Sequence, residues 1–89
     1  MPRFFFDVRN GKDVRDLVGI ELDSAAVARR SAMRYVDELL REQPDLLGRR
    51  DQWWLSVRDE DDEVVSTIRI LLNGGHHHLT EQIADGARA

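Results

Sequence analysis

Polar and apolar positions repeat with a helical period in one long stretch, Ser24–Glu42 (SAAVARRSAMRYVDELLRE). At 100° per residue Ala25, Ala28, Ala32, Tyr35, Val36 and Leu39 share one arc, widened by Met33 and Leu40. Arg30, Arg34, Asp37, Glu38 and Arg41 take the opposite arc. Ser24 suits the N-cap, because its hydroxyl accepts a backbone N–H that the first turn leaves unpaired. Pro44 marks the far end, since the residue before a proline is biased out of the helical region. The alanines near the start allow close approach to another layer, and Tyr35, Val36 and Leu39 are expected to fill a deeper gap. A helix with one apolar stripe has to bury it. The flanking segments must supply the surface.

Those segments alternate with period two. Arg3–Arg9 (RFFFDVR) sets Phe4, Phe6 and Val8 against Phe5, Asp7 and Arg9. Gln52–Arg58 (QWWLSVR) sets Trp53, Leu55 and Val57 against Trp54, Ser56 and Arg58. Glu63–Leu72 (EVVSTIRILL) is the longest run and rich in β-branched residues. Its parity assigns Val64, Ile68 and Ile70 to the helix side and Val65, Thr67 and Arg69 to the other. Asn10-Gly11 suits a tight turn, and Asp13–Val18 reads as a short edge strand. Ile20 and Leu22 belong under the start of the helix. Asp45–Asp51 is a loop whose Leu46 and Leu47 close one end of the core, and Asp59–Asp62 is an acidic turn. The order β-β-α-β-β predicts an α+β fold, with one helix packed on one face of a four-stranded, mainly antiparallel sheet. This single domain covers residues 1–72. After Asn73-Gly74-Gly75 large apolar residues are few, and residues 73–89 are expected to form a loosely ordered tail.

Composition narrows the class. Eighty-nine residues, 42% hydrophobic and 34% charged, suit one folded domain with a modest core. Without cysteine there is neither a disulfide framework nor a thiolate metal site. The FFF run is too short for a signal-peptide core, and no segment is long and apolar enough to span a bilayer. A cytoplasmic protein is the expectation. The formal net charge of −4 argues against nonspecific nucleic-acid binding.

The segments MPRFFFDVR, Arg15-Asp16, Gly19-Ile20-Glu21-Leu22 and VRDEDDEVV, in that order around one helix, resemble a family of short bacterial proteins of unknown function. The resemblance covers roughly residues 1–72 and implies no catalytic residues. The family pattern has glycine in the last hairpin where this chain has Asp62. The tail after Leu72 lies outside the pattern.

Candidate chemistry is sparse. Asp59–Glu63 lacks the spacing and the glycine of a calcium loop, which leaves a solvated hairpin turn. His76-His77-His78 are adjacent in sequence, whereas metal ligands come at fixed spacings with a partner elsewhere. Ser24, Ser31, Ser56 and Ser66 have no flanking nucleophile motif, and Gly74-Gly75 lacks a P-loop lysine. No catalytic residue, cofactor site or metal site is therefore assigned, and the chain is not expected to be an enzyme. Arg29, Arg30, Arg34, Arg49 and Arg50 read as a solvated basic surface.

The feature that stands out is the sheet face away from the helix. One helix covers one face, so Phe5, Trp54, Val65 and Thr67 remain outside, beside Arg9, Arg58 and Arg69. Such a patch marks an interaction site. Two readings follow: a homodimer or protein-partner interface, and a platform that stacks single-stranded bases with the arginines on phosphate. The second lacks an RNA-recognition signature and has Asp7 and Asp16 nearby, so the first ranks higher. No membrane partner is expected.

Overall fold

The computed structural model describes residues 1–84, the side chain of Leu47 excepted. Six strands form one sheet beside one helix: β1 (Arg3–Arg9), β2 (Asp13–Val14), β3 (Ile20–Glu21), α1 (Ala25–Glu42), β4 (Gln52–Arg58), β5 (Val64–Asn73) and β6 (His76–Ile83). The sheet order is β2-β1-β4-β5-β6, every pairing is antiparallel, and β3 continues the outer edge of β1 beyond β2. The fold is α+β with the helix on one face, as the periodicity predicts, and the sheet holds more strands than expected.

The helix starts where the cap chemistry sets it. Ser24 Oγ accepts the Val27 N–H at 3.2 Å, and the chain leaves the helix at Gln43 into a short 3-10 turn, Pro44–Gly48. Ala28, Ala32, Val36 and Leu40 are the buried helix positions. They are spaced by four, so a narrow stripe lies on the sheet and the small alanines bring the backbones close. Tyr35 is 48% exposed and does not fill the deep gap expected of it. It lies off the four-residue stripe, at the rim of a groove of about 390 Å³ shared with Phe6, Ile20 and Leu22.

Under the helix lie Phe4, Trp53, Leu55, Val57, Ile68, Ile70 and Leu72, with Leu46 closing the end of the core. One assignment is corrected here. The β4–β5 register pairs Val57 with Ser66 and Arg58 with Val64, which leaves Val65 as an extra residue between them. A bulge reverses strand parity beyond it. Val65 is therefore buried in the core, and Val64, placed inward by simple alternation, is 48% exposed.

The larger correction concerns the expected tail. Gly74 and Gly75 both have positive φ (+55° and +101°), the requirement of a tight two-residue hairpin turn. They return the chain along β5 through eight consecutive residue pairs, from Asn73↔His76 to Ser66↔Ile83. Leu79 packs against the core, and Glu81 holds Arg29 of the helix in a two-bond pair (Nε–Oε2 2.9 Å, Nη2–Oε1 3.1 Å). Three histidines and a glutamate dilute the period-two pattern, so pairing and the glycine turn make this strand rather than side-chain hydrophobicity. The last five positions of the predicted tail, 85–89, lie outside the described residues.

A chain ended at Asn73 loses this strand, the Leu79 contact and the Arg29–Glu81 pair. Its melting temperature should fall by about 10 °C or more, since about 1 kcal/mol corresponds to roughly 4–8 °C in a domain of this size. An unchanged thermal melt by circular dichroism would show that β6 adds nothing to the fold.

Candidate functional site

The register fixes which side chains share the helix-free face. Three rows cross the strands: Phe5 and Arg58; Asp7, Ser56, Thr67 and Gln82; Arg9, Trp54, Arg69 and Thr80. This face holds a depression of about 650 Å³ whose walls include Trp54, Val14, Val64, Ser56, Thr67 and Arg58.

Arg58 does not offer itself to solvent. Its guanidinium reaches Asp7 through Nε (2.9 Å to Oδ2) and Nη2 (3.2 Å to Oδ1), and Nη1 lies 3.0 Å from Asp62 Oδ1. Nη2 also donates to the backbone carbonyl of Asp16 at 3.0 Å. The Phe5 ring lies beneath, its centroid 4.6 Å from the guanidinium carbon, a cation–π contact. The side chain is 10% exposed. A planar fork with fixed donors suits this task as an ammonium would not.

Asp16 extends the network to the edge of the sheet. Between the Arg3/Phe4 pairs with β3 and the Val8/Arg9 pairs with β2, the outer edge of β1 has a gap. Asp16 Oδ2 fills it by accepting the Phe6 N–H (3.1 Å), while Oδ1 accepts from Val18 and Gly19 (both 3.0 Å) and folds the loop on itself. Asp7 Oδ1 accepts the Asp16 N–H at 2.9 Å. Gly19 is required where it stands: its φ is +70°, and a Cβ would come within 2.8 Å of the Phe4 carbonyl oxygen and of the Phe5 ring.

Asp62 has φ +65°. Left-handed backbone favours glycine, and here the carboxylate offsets the cost by accepting from Arg15 (2.7 Å) as well as Arg58. Asp59 closes the same turn, its Oδ1 accepting from Asp61 and Glu63. The acidic run is thus turn chemistry. Among the described residues no group of three His, Asp or Glu side chains is placed to hold a metal ion.

Burial pushes the Asp7 carboxyl upward, but hydrogen bonds from Arg58 and the Asp16 N–H, with the charges of Arg58 and Arg15, outweigh it and leave the group below its ordinary range. Asp16 behaves alike: desolvation opposes ionisation, and the N–H groups of Gly19, Phe6 and Val18 more than compensate. These groups are held as anions at neutral pH, without the poised protonation expected of an acid–base catalyst.

The predicted interaction residues therefore separate. Trp54, Thr67, Arg9 and Arg69 share the open face. Phe5 faces the same way but is covered by Arg58, whose Asp7 and Asp62 partners take it out of the set of phosphate ligands. Arg9 pairs with Asp13 at 2.9 Å. Val65 belongs to the core. The groups that Arg58 and Arg15 hold, the Asp7 and Asp62 carboxylates and the Asp16 carbonyl, are invisible to a reading by elements, because they come from three separated segments. The signal that could have found them is that each lies in a segment carrying the family resemblance.

Fold and site together define a small α+β domain with one helix, whose helix-free face is built over a buried arginine–carboxylate lock. The chain belongs to the DUF6894 family, a domain of unknown function, which matches residues 3–71 and so spans the lock completely. No curated protein and no solved structure matches it.

Two outcomes test the lock. Arg58→Lys keeps the charge but loses the fork, and should cost about 1.5–3 kcal/mol in urea unfolding, the range for a lost hydrogen bond to a charged group; a loss within experimental error would make the network ornamental. Asp7 and Asp16 have folded-state values below the ordinary 3.8. Their stabilisation is complete above the unfolded value and is lost as pH falls through the lower folded values. Stability should decline below about pH 4, and Asp7→Asn, weaker at neutral pH, should show a shallower acid decline.

Proposed function

We propose that this protein is a non-enzymatic interaction domain, acting in the cytoplasm, whose helix-free sheet face packs against the same face of a second copy. The observation that carries the reading is Trp54. It is half-buried in mid-sheet, flanked across the strands by Arg9 and Arg69, on a concave surface that the single helix cannot reach. Tryptophan and arginine are the residues most enriched where interfaces draw their energy. Ser56 and Thr67, whose hydroxyls lie 3.3 Å apart beside it, supply polar complement. Burying the remaining indole surface is worth on the order of 1–2 kcal/mol.

The stacking of single-stranded bases is the second reading, supported by the placing of one indole between two arginines. Against it, Asp7, Asp13 and Asp62 line the same depression, Arg58 is committed to carboxylates, and Arg9 pairs with Asp13. An acidic lining disfavours a polyanion.

Light scattering at two concentrations decides between them. Face packing predicts a mass above the monomer that rises with concentration and drops in Trp54→Ala. A Trp54-dependent affinity for a single-stranded oligonucleotide at low salt, falling steeply as salt rises, would favour the second reading. A mass unaffected by Trp54→Ala would overturn face packing.

A further inference from the structure

The two edges of the sheet are finished differently. At one, β1 is covered by β2 and β3, only two residues each, and the gap between them is closed by the Asp16 carboxylate. Short strands and local caps of this kind keep an edge from pairing with another chain. At the other, β6 runs eight residues in unbroken register with β5, contains neither proline nor lysine, and meets no further strand among the described residues.

Its open hydrogen-bonding groups follow from the turn. Gly74 and Gly75 fill the two central positions of the hairpin, so Asn73 and His76 form the closing hydrogen-bonded pair. Antiparallel pairs alternate between bonded and non-bonded. The backbone groups of His77, Leu79, Glu81 and Ile83 therefore point outward, at an unoccupied edge.

We infer that β6 pairs antiparallel with β6 of a second copy, centred on Leu79. A two-fold axis through Leu79 places Leu79 against its own counterpart and His77 against Glu81 of the other chain, twice by symmetry. All of these residues have outward backbone groups, so the ladder is complete in this register. All lie on the helix side of the sheet, so the pleat continues without inversion. The neighbouring registers are poorer: a shift toward the turn sets Leu79 against His77 and Glu81 against Gly75. A shift of one position on each strand the other way sets Leu79 against Glu81 and His77 against Ile83. A further shift sets Glu81 against Glu81, a like-charge pair in a closed edge. Size and hydrogen-bonding complementarity thus select one occupant, an identical strand, and one register.

The contact is independent of the face packing proposed above: it uses edge backbone rather than Trp54, and leaves the helix-free faces of both copies open and side by side. It can therefore fail, or hold, by itself.

The full chain, its Trp54→Ala form, and the exposed-site variants His77→Glu and His77→Lys would be compared by sedimentation and by amide hydrogen exchange. Edge pairing predicts that Trp54→Ala still dimerises. It also predicts that His77→Glu, which sets like charges opposite each other twice, raises the dimer dissociation constant by about tenfold or more. His77→Lys, which sets a cation opposite Glu81, should retain the dimer. The Leu79 and Glu81 amides should exchange slowly at high concentration and fast on dilution. A monomeric Trp54→Ala form, or a dimer in which these amides exchange at the same rate at both concentrations, would overturn the pairing. Either result would leave face packing through Trp54 intact.

Discussion

The structure depends on one buried cation. Arg58 ends β4 on the side of the sheet that the helix does not protect, and its charge has to be balanced there by groups the chain brings to it. Asp7 comes from β1, the Asp16 carbonyl from the loop beyond β2, and Asp62 from the turn into β5. Three segments far apart in sequence are thereby fixed to one guanidinium. Each would be held only weakly by its own local structure, since β2 is two residues long and the loop around Asp16 is mostly exposed. Removing the cation would leave carboxylates in a partly desolvated site, a cost larger than the net worth of the pair itself.

The same constraint separates fold from function on the helix-free face. A tryptophan, three arginines and several small polar groups in one depression look, from composition alone, like a nucleic-acid platform. The arginine at the corner is spent internally, and it also covers the Phe5 ring. What remains is one indole, two flanking arginines and acidic walls, which is closer to the chemistry of a protein contact than of a phosphate groove. The residues that carry the family resemblance are thus mostly those that build the lock and its turns. In this chain they meet an architectural requirement, while Trp54 lies outside the lock on β4.

Much of the architecture was legible in the residues. Period-two alternation in Arg3–Arg9 and Gln52–Arg58, the helical stripe, the Ser24 cap and the break at Pro44 all act locally, and each is where the pattern put it. The failures share a physical origin. Simple alternation turns Val65 outward, but a bulge adds one residue and inverts the parity beyond it. Residues 76–83 read as a tail because the stability of β6 comes from pairing, a glycine turn and the Arg29 ion pair, and none of these appears as hydrophobic periodicity. The helical arc includes Tyr35, but packing selects the four-residue stripe of Ala28, Ala32, Val36 and Leu40. The lock itself was out of reach, because convergence of Asp7, Asp16 and Asp62 on Arg58 is a property of topology.

The most direct test of this account is a nitrogen-15 spectrum of the arginine side chains at neutral pH. An Arg58 held by two carboxylates and a carbonyl should show a slowly exchanging Nε–H and resolved Nη–H signals that do not move when phosphate or an oligonucleotide is added, while Arg69 remains averaged. An Arg58 Nε–H that exchanges as fast as that of Arg69, or shifts on adding phosphate, would contradict the claim that this cation holds the fold rather than a ligand.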